Sequence, residues 1–450
     1  MYLSNLSTSD VVAHITCQIE LKMVRQELTG TNFGHTVLII SRNSPESYSP
    51  AGERIRHIAL ASGSVFGKAI VLALGNRNTK RAVKASSKAL LQQVILRKEL
   101  PYPVIAYFDP LKFILLSVHS LFLSLRYKAS YILASMPPIE VGASALLLAK
   151  LLHMDLIIDL RDDWESAVER NLSRYIPEHL SEVIFWLARR VYSSAIAIMV
   201  ATPTIAKIAK KRGIETRTIL ASNGADTSVF FPLDGDSRQK MRIKHALPLD
   251  KTVVSYCGSG SNPYYRLDRV LASVGSLPDY LKEHLFFVFH LYRGIENVRK
   301  MKEELGISDD LVEVRGPIPR DVLAGVMAAC DVGLVPFDDA PYLLCARSAK
   351  LYEYLSAGLY VSACGPEGGE LNRLFSLDPQ LGTFCLPTIE NLTDVFSRLV
   401  KNGAFLFDDG NRKMRHNFIR ENYERKTITM KAVRAIGSLS IPAFANTPSV

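Results

Sequence analysis

The sequence predicts an α/β protein built from two Rossmann-like, doubly wound parallel-sheet domains that face each other across a cleft, and three observations predict it. The chain has 450 residues, well past the roughly 250–300 at which a single hydrophobic core stops growing. Short apolar runs rich in β-branched residues alternate with helical patterns in both halves, as in parallel sheets covered on both faces. The alternation breaks once, at Asn223-Gly224-Ala225-Asp226 with Phe230, Phe231 and Pro232 behind it, and then restarts.

The order of elements sets the boundaries. Residues 1–34 form an N-terminal extension, broken by Gly30, Asn32 and Gly34. The first domain, 35–222, opens with Thr36-Val37-Leu38-Ile39-Ile40-Ser41, a buried strand. A turn-rich loop with Pro50 and Gly52 leads from it into a helix beginning at Glu53. Strands follow at 65–74, 103–107, 131–135, 156–160, 195–200 and 218–220, separated by helices at 80–98, 111–127, 140–153, 181–191 and 206–212. The helix at 80–98 reads as basic and amphipathic, with Lys80, Arg81, Lys84 and Lys88 ahead of Leu90, Leu91, Val94 and Ile95. The apolar run at 113–125 is too short to span a bilayer and reads as a buried helix. The second domain, 223–411, has strands at 252–256, 285–290, 311–314, 332–336 and 360–363. A final helix at 412–437 returns to the first domain, and 438–450 is a tail.

Composition narrows the function. No positive-then-apolar leader opens the chain, so a cytoplasmic place is expected. The six cysteines have no paired spacing and the ten histidines form no helical ligand pair, so neither a disulfide framework nor a metal is expected. Residues 1–222 hold 27 Lys and Arg against 17 Asp and Glu, the whole of the net charge of +10. A basic first half suits an anionic partner such as the inner face of a membrane, met through Lys80, Arg81, Lys84 and Lys88. No base-reading module accompanies the charge, which argues against nucleic acid.

The chemistry concentrates between residues 347 and 370. Ser348 is placed to cap a short helix whose apolar face is Leu351, Tyr354 and Leu355, and Gly358 stops it. A helix start beside Lys350 is an anion seat. One turn on, Glu353 sets a carboxylate where two vicinal hydroxyls, such as those of a ribose, could be held. Gly368 and Gly369 offer backbone N–H groups to a ligand, and Glu370 stands at the next helix start. Phosphate and ribose together indicate a nucleotide.

The order of these landmarks resembles that of the retaining GT-B glycosyltransferases of the family 4 type, over roughly residues 35–437. Asn223-Gly224-Ala225-Asp226 with Phe230 and Pro232 looks like that family's interdomain hinge, and Val314-Arg315-Gly316 followed by Pro319 like its base-pocket turn. The runs Ala329-Cys330-Asp331-Val332-Gly333-Leu334-Val335-Pro336 and Lys350-Leu351-Tyr352-Glu353-Tyr354-Leu355-Ser356-Ala357-Gly358 are similar to its most recognisable stretch. Arg161-Asp162 with Trp164 resembles its acceptor-side loop.

The resemblance implies a nucleotide-sugar donor, UDP- or GDP-linked, no cofactor, and a glycan or lipid-linked acceptor in surface polysaccharide or glycolipid synthesis. It implies catalytic parts for Lys350, Arg266, Arg161 and Asp162. It implies donor contacts for Glu353, Ser348, Gly52, Gly258, Gly316, Pro317, Ile318, Gly368, Gly369 and Glu370. Two departures stand out. Cys345 occupies the place of the first of two family glutamates, and the cations usual after the first strand of the second domain are displaced, with only Arg266 nearby. Those departures keep open a catalytically silent binding protein, and another GT-B activity such as epimerisation or phosphorolysis.

Overall fold

The computed structural model describes residues 34–45, 49–75, 89–95, 108–172, 178–262 and 264–439, and among these thirteen strands form two wholly parallel sheets. In the first domain they are β1 (His35–Ser41), β2 (Gly67–Gly75), β3 (Ala89–Ile95), β4 (Tyr131–Met136), β5 (Asp155–Leu160), β6 (Ala197–Val200) and β7 (Thr218–Leu220), in spatial order β3-β2-β1-β4-β5-β6-β7. In the second they are β8 (Thr252–Ser259), β9 (Leu285–Arg293), β10 (Val312–Arg315), β11 (Val332–Pro336), β12 (Tyr360–Cys364) and β13 (Gly382–Cys385), in the order β10-β9-β8-β11-β12-β13. Each sheet reverses its strand order once, between β1 and β4 and between β8 and β11. Crevices for ligands open at such points, outside the carboxyl ends of the strands.

The carboxyl ends of the two sheets face each other. Thr202, just past β6, donates its hydroxyl to the carbonyl of Cys345, which follows β11, at 2.9 Å. Thr204 and Glu370, past β6 and β12, are likewise joined. Two chain crossings link the domains and lie side by side: Ala225 N–H donates to Tyr423 O at 3.1 Å, and Arg425 N–H to Ala225 O at 2.9 Å. Gly224, at φ +60, has no room for a side chain there, since a Cβ would lie 2.5 Å from Tyr423 O.

Three expectations are corrected here. The helix expected at 80–98 is in its described part the edge strand β3, paired with β2 from Ala69 to Gly75. Apolar residues at 90, 91, 94 and 95 fit a helical stripe and a strand alike over so short a span, and the free edge of β2 decides between them. Lys80, Arg81, Lys84 and Lys88, and the strand expected at 103–107, lie outside the described residues. The single helix expected at 412–437 is two: Asp409–Asn422 packs on helix Ala349–Ser356, and Arg425–Gly437 packs on helix Pro50–Phe66 of the first domain. The run at 113–125 is helical, within Pro110–Tyr127, but only Leu116, Ser120, Leu123 and Ser124 of that helix are buried. No helix among the described residues is long and apolar enough to cross a membrane.

Candidate active site at the carboxyl ends of the second sheet

Helix Ala349–Ser356 is fixed from three sides before any ligand is considered. Its Tyr354 ring lies flat on β11 because position 333 is glycine, where a Cβ would come 2.3 Å from the ring. The Tyr354 hydroxyl accepts a hydrogen bond from Cys257 N at 2.8 Å, tying the helix to the end of β8. At the other end, buried Arg412 and Arg415 donate to carbonyls that include Ala357 O and Gly358 O, satisfying the helix C-terminus with cations. Burial lowers the pKa of both guanidinium groups to about 10.

Lys350 sits in the first turn of this helix and its side chain reaches the loop after β8. Its Nζ lies 4.0 Å from the ring centre of Tyr256 and 3.8 Å from that of Tyr265. The residue is 8% exposed and Nζ has no hydrogen-bond partner. A Cβ at position 258 would be 2.7 Å from that nitrogen, so Gly258 keeps the ground beside the ammonium clear. Burial drives the Lys350 pKa down to about 7, against an ordinary 10.5. Two aromatic faces stabilise a cation by about 0.5–2 kcal/mol each, which does not replace its lost hydration. The structure thus holds a buried amine without a hydrogen-bond acceptor beside the sheet reversal point between β8 and β11.

Ser348 precedes the helix in extended conformation, yet its hydroxyl makes no cap bond and lies against the Tyr265 hydroxyl instead. The expected cap is therefore absent. Glu353, one turn on, carries its Oε1 3.5 Å from Arg425 Nη2 and 3.9 Å from Arg320 Nη2. Arg320 also lies 3.4 Å from Glu53 of the first domain. Glu353 thus belongs to a charged cluster at the crossings, with His57 behind it, whose pKa falls to about 3 through burial and the nearby Arg425. Gly316, Pro317 and Ile318 form the loop between β10 and helix Arg320–Ala329, and Gly316 borders open space.

Other expected site residues are engaged elsewhere. Arg266 makes a two-pronged pair with Asp268 at 2.9 and 2.6 Å and a third bond to Asp338 at 3.0 Å, so its guanidinium is committed to the loop and its pKa is raised. Arg161 donates to Pro137 O at 2.7 Å and Met136 O at 3.3 Å, pinning the turn after β4. Asp162 is exposed at the end of β5. Gly52 lies inside helix Pro50–Phe66, where its N–H meets the Ser49 cap at 3.1 Å, because Pro50 already starts the helix.

The glycine turn offers no free donors. Gly368 N–H goes to Asn372 Oδ1, Gly369 N–H to Pro366 O and Glu370 N–H to Leu344 O. Glu370 is buried, accepts from Thr204 N–H at 3.0 Å and pairs with Arg347 at 2.8 Å. It joins the two domains.

Several contributors escaped the sequence reading. Tyr256 and Tyr265 hold Lys350, and the signal for them was the Tyr264-Tyr265 pair in a loop that lacks the expected cations. Arg54 of the first domain, bonded to buried Asp159 at 2.6 Å, to Ala221 O and to Asn223, anchors the first crossing and had no motif to announce it. Cys345 packs into the first domain's core, its thiol pKa raised to about 12 by burial.

No family model and no curated protein sequence matches the chain. Solved structures do. Sucrose-phosphate synthase from Thermosynechococcus elongatus superposes with a TM-score of 0.72 at 15% identity, over 90% of this chain and 99% of that one. WaaG, a glycosyltransferase involved in lipopolysaccharide biosynthesis, gives 0.67 at 15% identity, over 89% and 99%. Anabaena HepE in complex with UDP gives 0.64 at 13% identity, over 90% and 100%. These likenesses identify the fold: the chain has the α/β architecture of two Rossmann-like domains facing a cleft.

Proposed function

We propose that this protein is a glycosyltransferase that takes a sugar from a nucleotide-sugar donor and passes it, with retention, to a glycan or lipid-linked acceptor. The observation that carries the reading is the buried, unpartnered Lys350 ammonium between two tyrosine rings, with the Glu353 carboxylate one turn further along the same helix. A diphosphate on Lys350 and a ribose toward Glu353 suit that spacing. A UDP-linked donor is supported by the HepE structures with UDP and UDP-glucose and by the trehalose-6-phosphate-named structure with UDP-2-fluoro glucose.

In this reading, negative charge grows on the departing diphosphate as the anomeric C–O bond breaks, and Lys350 stabilises it. The departing phosphate oxygen takes the acceptor hydroxyl proton, so no separate base is needed. In the same reading Asp162, which follows β5 of the first domain, orients the acceptor. Glu353→Gln keeps the side-chain shape and removes the charge, so UDP affinity should fall by about 1.5–3 kcal/mol, the range for hydrogen bonds to a charged group. Isothermal calorimetry checks this, and an unchanged dissociation constant in the folded variant would remove Glu353 from the site.

A second reading, a sugar-nucleotide-binding protein without turnover, is favoured by Cys345. That residue stands where the resembling family has a glutamate, and it is buried in the first domain's core instead of facing the cleft. Release of free sugar from UDP-sugars without acceptor separates the two: binding with no release, across UDP- and GDP-sugars, selects the silent protein.

A further inference from the structure

We infer that the first domain carries a docking surface for an anionic lipid bilayer on the outer face of helices Pro110–Tyr127, Ile139–Leu152 and Glu178–Ser193. This surface shares no residue with the donor site and does not depend on the proposed activity. On the first helix Leu111, Ile114, Val118, Phe122 and Leu125 are each 53–61% exposed. Their spacing of three and four puts them on one stripe along the helix, opposite buried Leu116, Ser120 and Leu123. Helix Ile139–Leu152 packs beside it and helix Glu178–Ser193 beside that. They extend the stripe with Leu147, Leu151, Val183 and Trp186. Nine large apolar side chains open to solvent on adjacent helices are not a collection of stray surface residues.

Charge selects the occupant. Arg126, Lys128, Lys150, Arg189 and Arg190 are exposed around this face, against one exposed acid among the described side chains of these helices, Glu182. Arg126 lies 5.9 Å from the Phe122 ring centre and Arg190 5.5 Å from that of Trp186, so cations border the apolar stripe. Apolar residues inward and cations at the rim suit a layer of anionic headgroups over acyl chains. A second copy of the same face would set cations against cations. Residues 1–33 hold Lys22 and Arg25 against Asp10, Glu20 and Glu27, too little negative charge to meet five exposed cations.

The test uses the full chain and vesicles of phosphatidylcholine with about one-third phosphatidylglycerol. Trp186 is 54% exposed and the other tryptophan, Trp164, is 8% exposed, so Trp186 reports on the surface. The wild type should co-sediment with these vesicles at least tenfold more strongly than with phosphatidylcholine alone, and less in high salt. Its emission should shift to the blue and become shielded from acrylamide. Val118→Glu/Phe122→Glu, at two exposed positions, should keep the wild-type melting temperature and lose vesicle binding at least tenfold. Equal binding by wild type and variant, or none by either, overturns the proposal. So do a concentration-dependent dimer that the variant abolishes, which assigns the face to a second copy, and shielding of Trp186 before vesicles are added, which assigns it to this chain's own residues.

Discussion

Lys350→Met is expected to lower donor turnover by about 100–1,000-fold, the loss typical for one preorganised charge-stabilising donor, while raising the stability of the protein without ligand. Both effects come from one buried nitrogen. The folded-state pKa of Lys350 is about 7 against an ordinary 10.5, so between those values the unfolded chain holds a proton that the native protein has released. Stability of the wild type therefore rises with pH across that window, and below pH 7 the native state carries the full cost of a charge without hydrogen bonds. At about 1.4 kcal/mol per unit, the cost is on the order of 3–5 kcal/mol, less what the tyrosine faces return. Methionine fills the same channel without charge, so its melting temperature should exceed that of the wild type most at pH 6.5 and by less at pH 9.5. A constant gap, or a less stable variant at pH 6.5, would contradict this account. A diphosphate bound at the wild-type nitrogen favours the charged form, so UDP binding at pH 8 should take up a proton, seen as a calorimetric enthalpy that depends on the buffer's ionisation heat.

How far the sequence could be read depended on whether a feature was local. The apolar runs of β1, β4, β5, β8 and β11 are short, nearly continuous and buried on both faces, the pattern of central parallel strands. The chain crossing at Asn223 was legible because a break in periodicity is local. Lys350 and Glu353 stood out because one helix holds both. What surrounds Lys350 was not legible, since Tyr256 and Tyr265 come from a strand and a loop about 90 residues earlier, and only packing shows that their rings meet its ammonium. Arg266 was misleading for the opposite reason. Its position beside the loop is right, but Asp268 and Asp338 have already used its donors. The exposed stripe on helix Pro110–Tyr127 was hidden because hydrophobicity alone does not say which apolar face finds a partner.

Glu370→Ala should open the two domains. The sequence marks this carboxylate as a donor contact at a helix start, but its oxygens are taken: Oε1 by Thr204 N–H at 3.0 Å and Thr204 Oγ at 2.5 Å, Oε2 by Arg347 at 2.8 Å. The residue is 3% exposed. Removing one member of a buried pair leaves the other charge uncompensated and costs about 3–5 kcal/mol. Thr204 belongs to the first domain and Glu370 with Arg347 to the second, so the variant loses both Thr204 hydrogen bonds across the domains and leaves Arg347 an uncompensated cation beside the contact between the sheets. Separation lets water reach Arg347, which makes the open arrangement the cheaper outcome. The unliganded variant should show a larger radius of gyration in X-ray scattering than the wild type, and donor KM should rise because closure now consumes binding energy. Glu370→Gln retains an acceptor for Thr204 and should fall between the two. Had Glu370 been a donor ligand, both variants would lose affinity while the unliganded scattering stayed that of the wild type; that pattern would return the residue to the donor site.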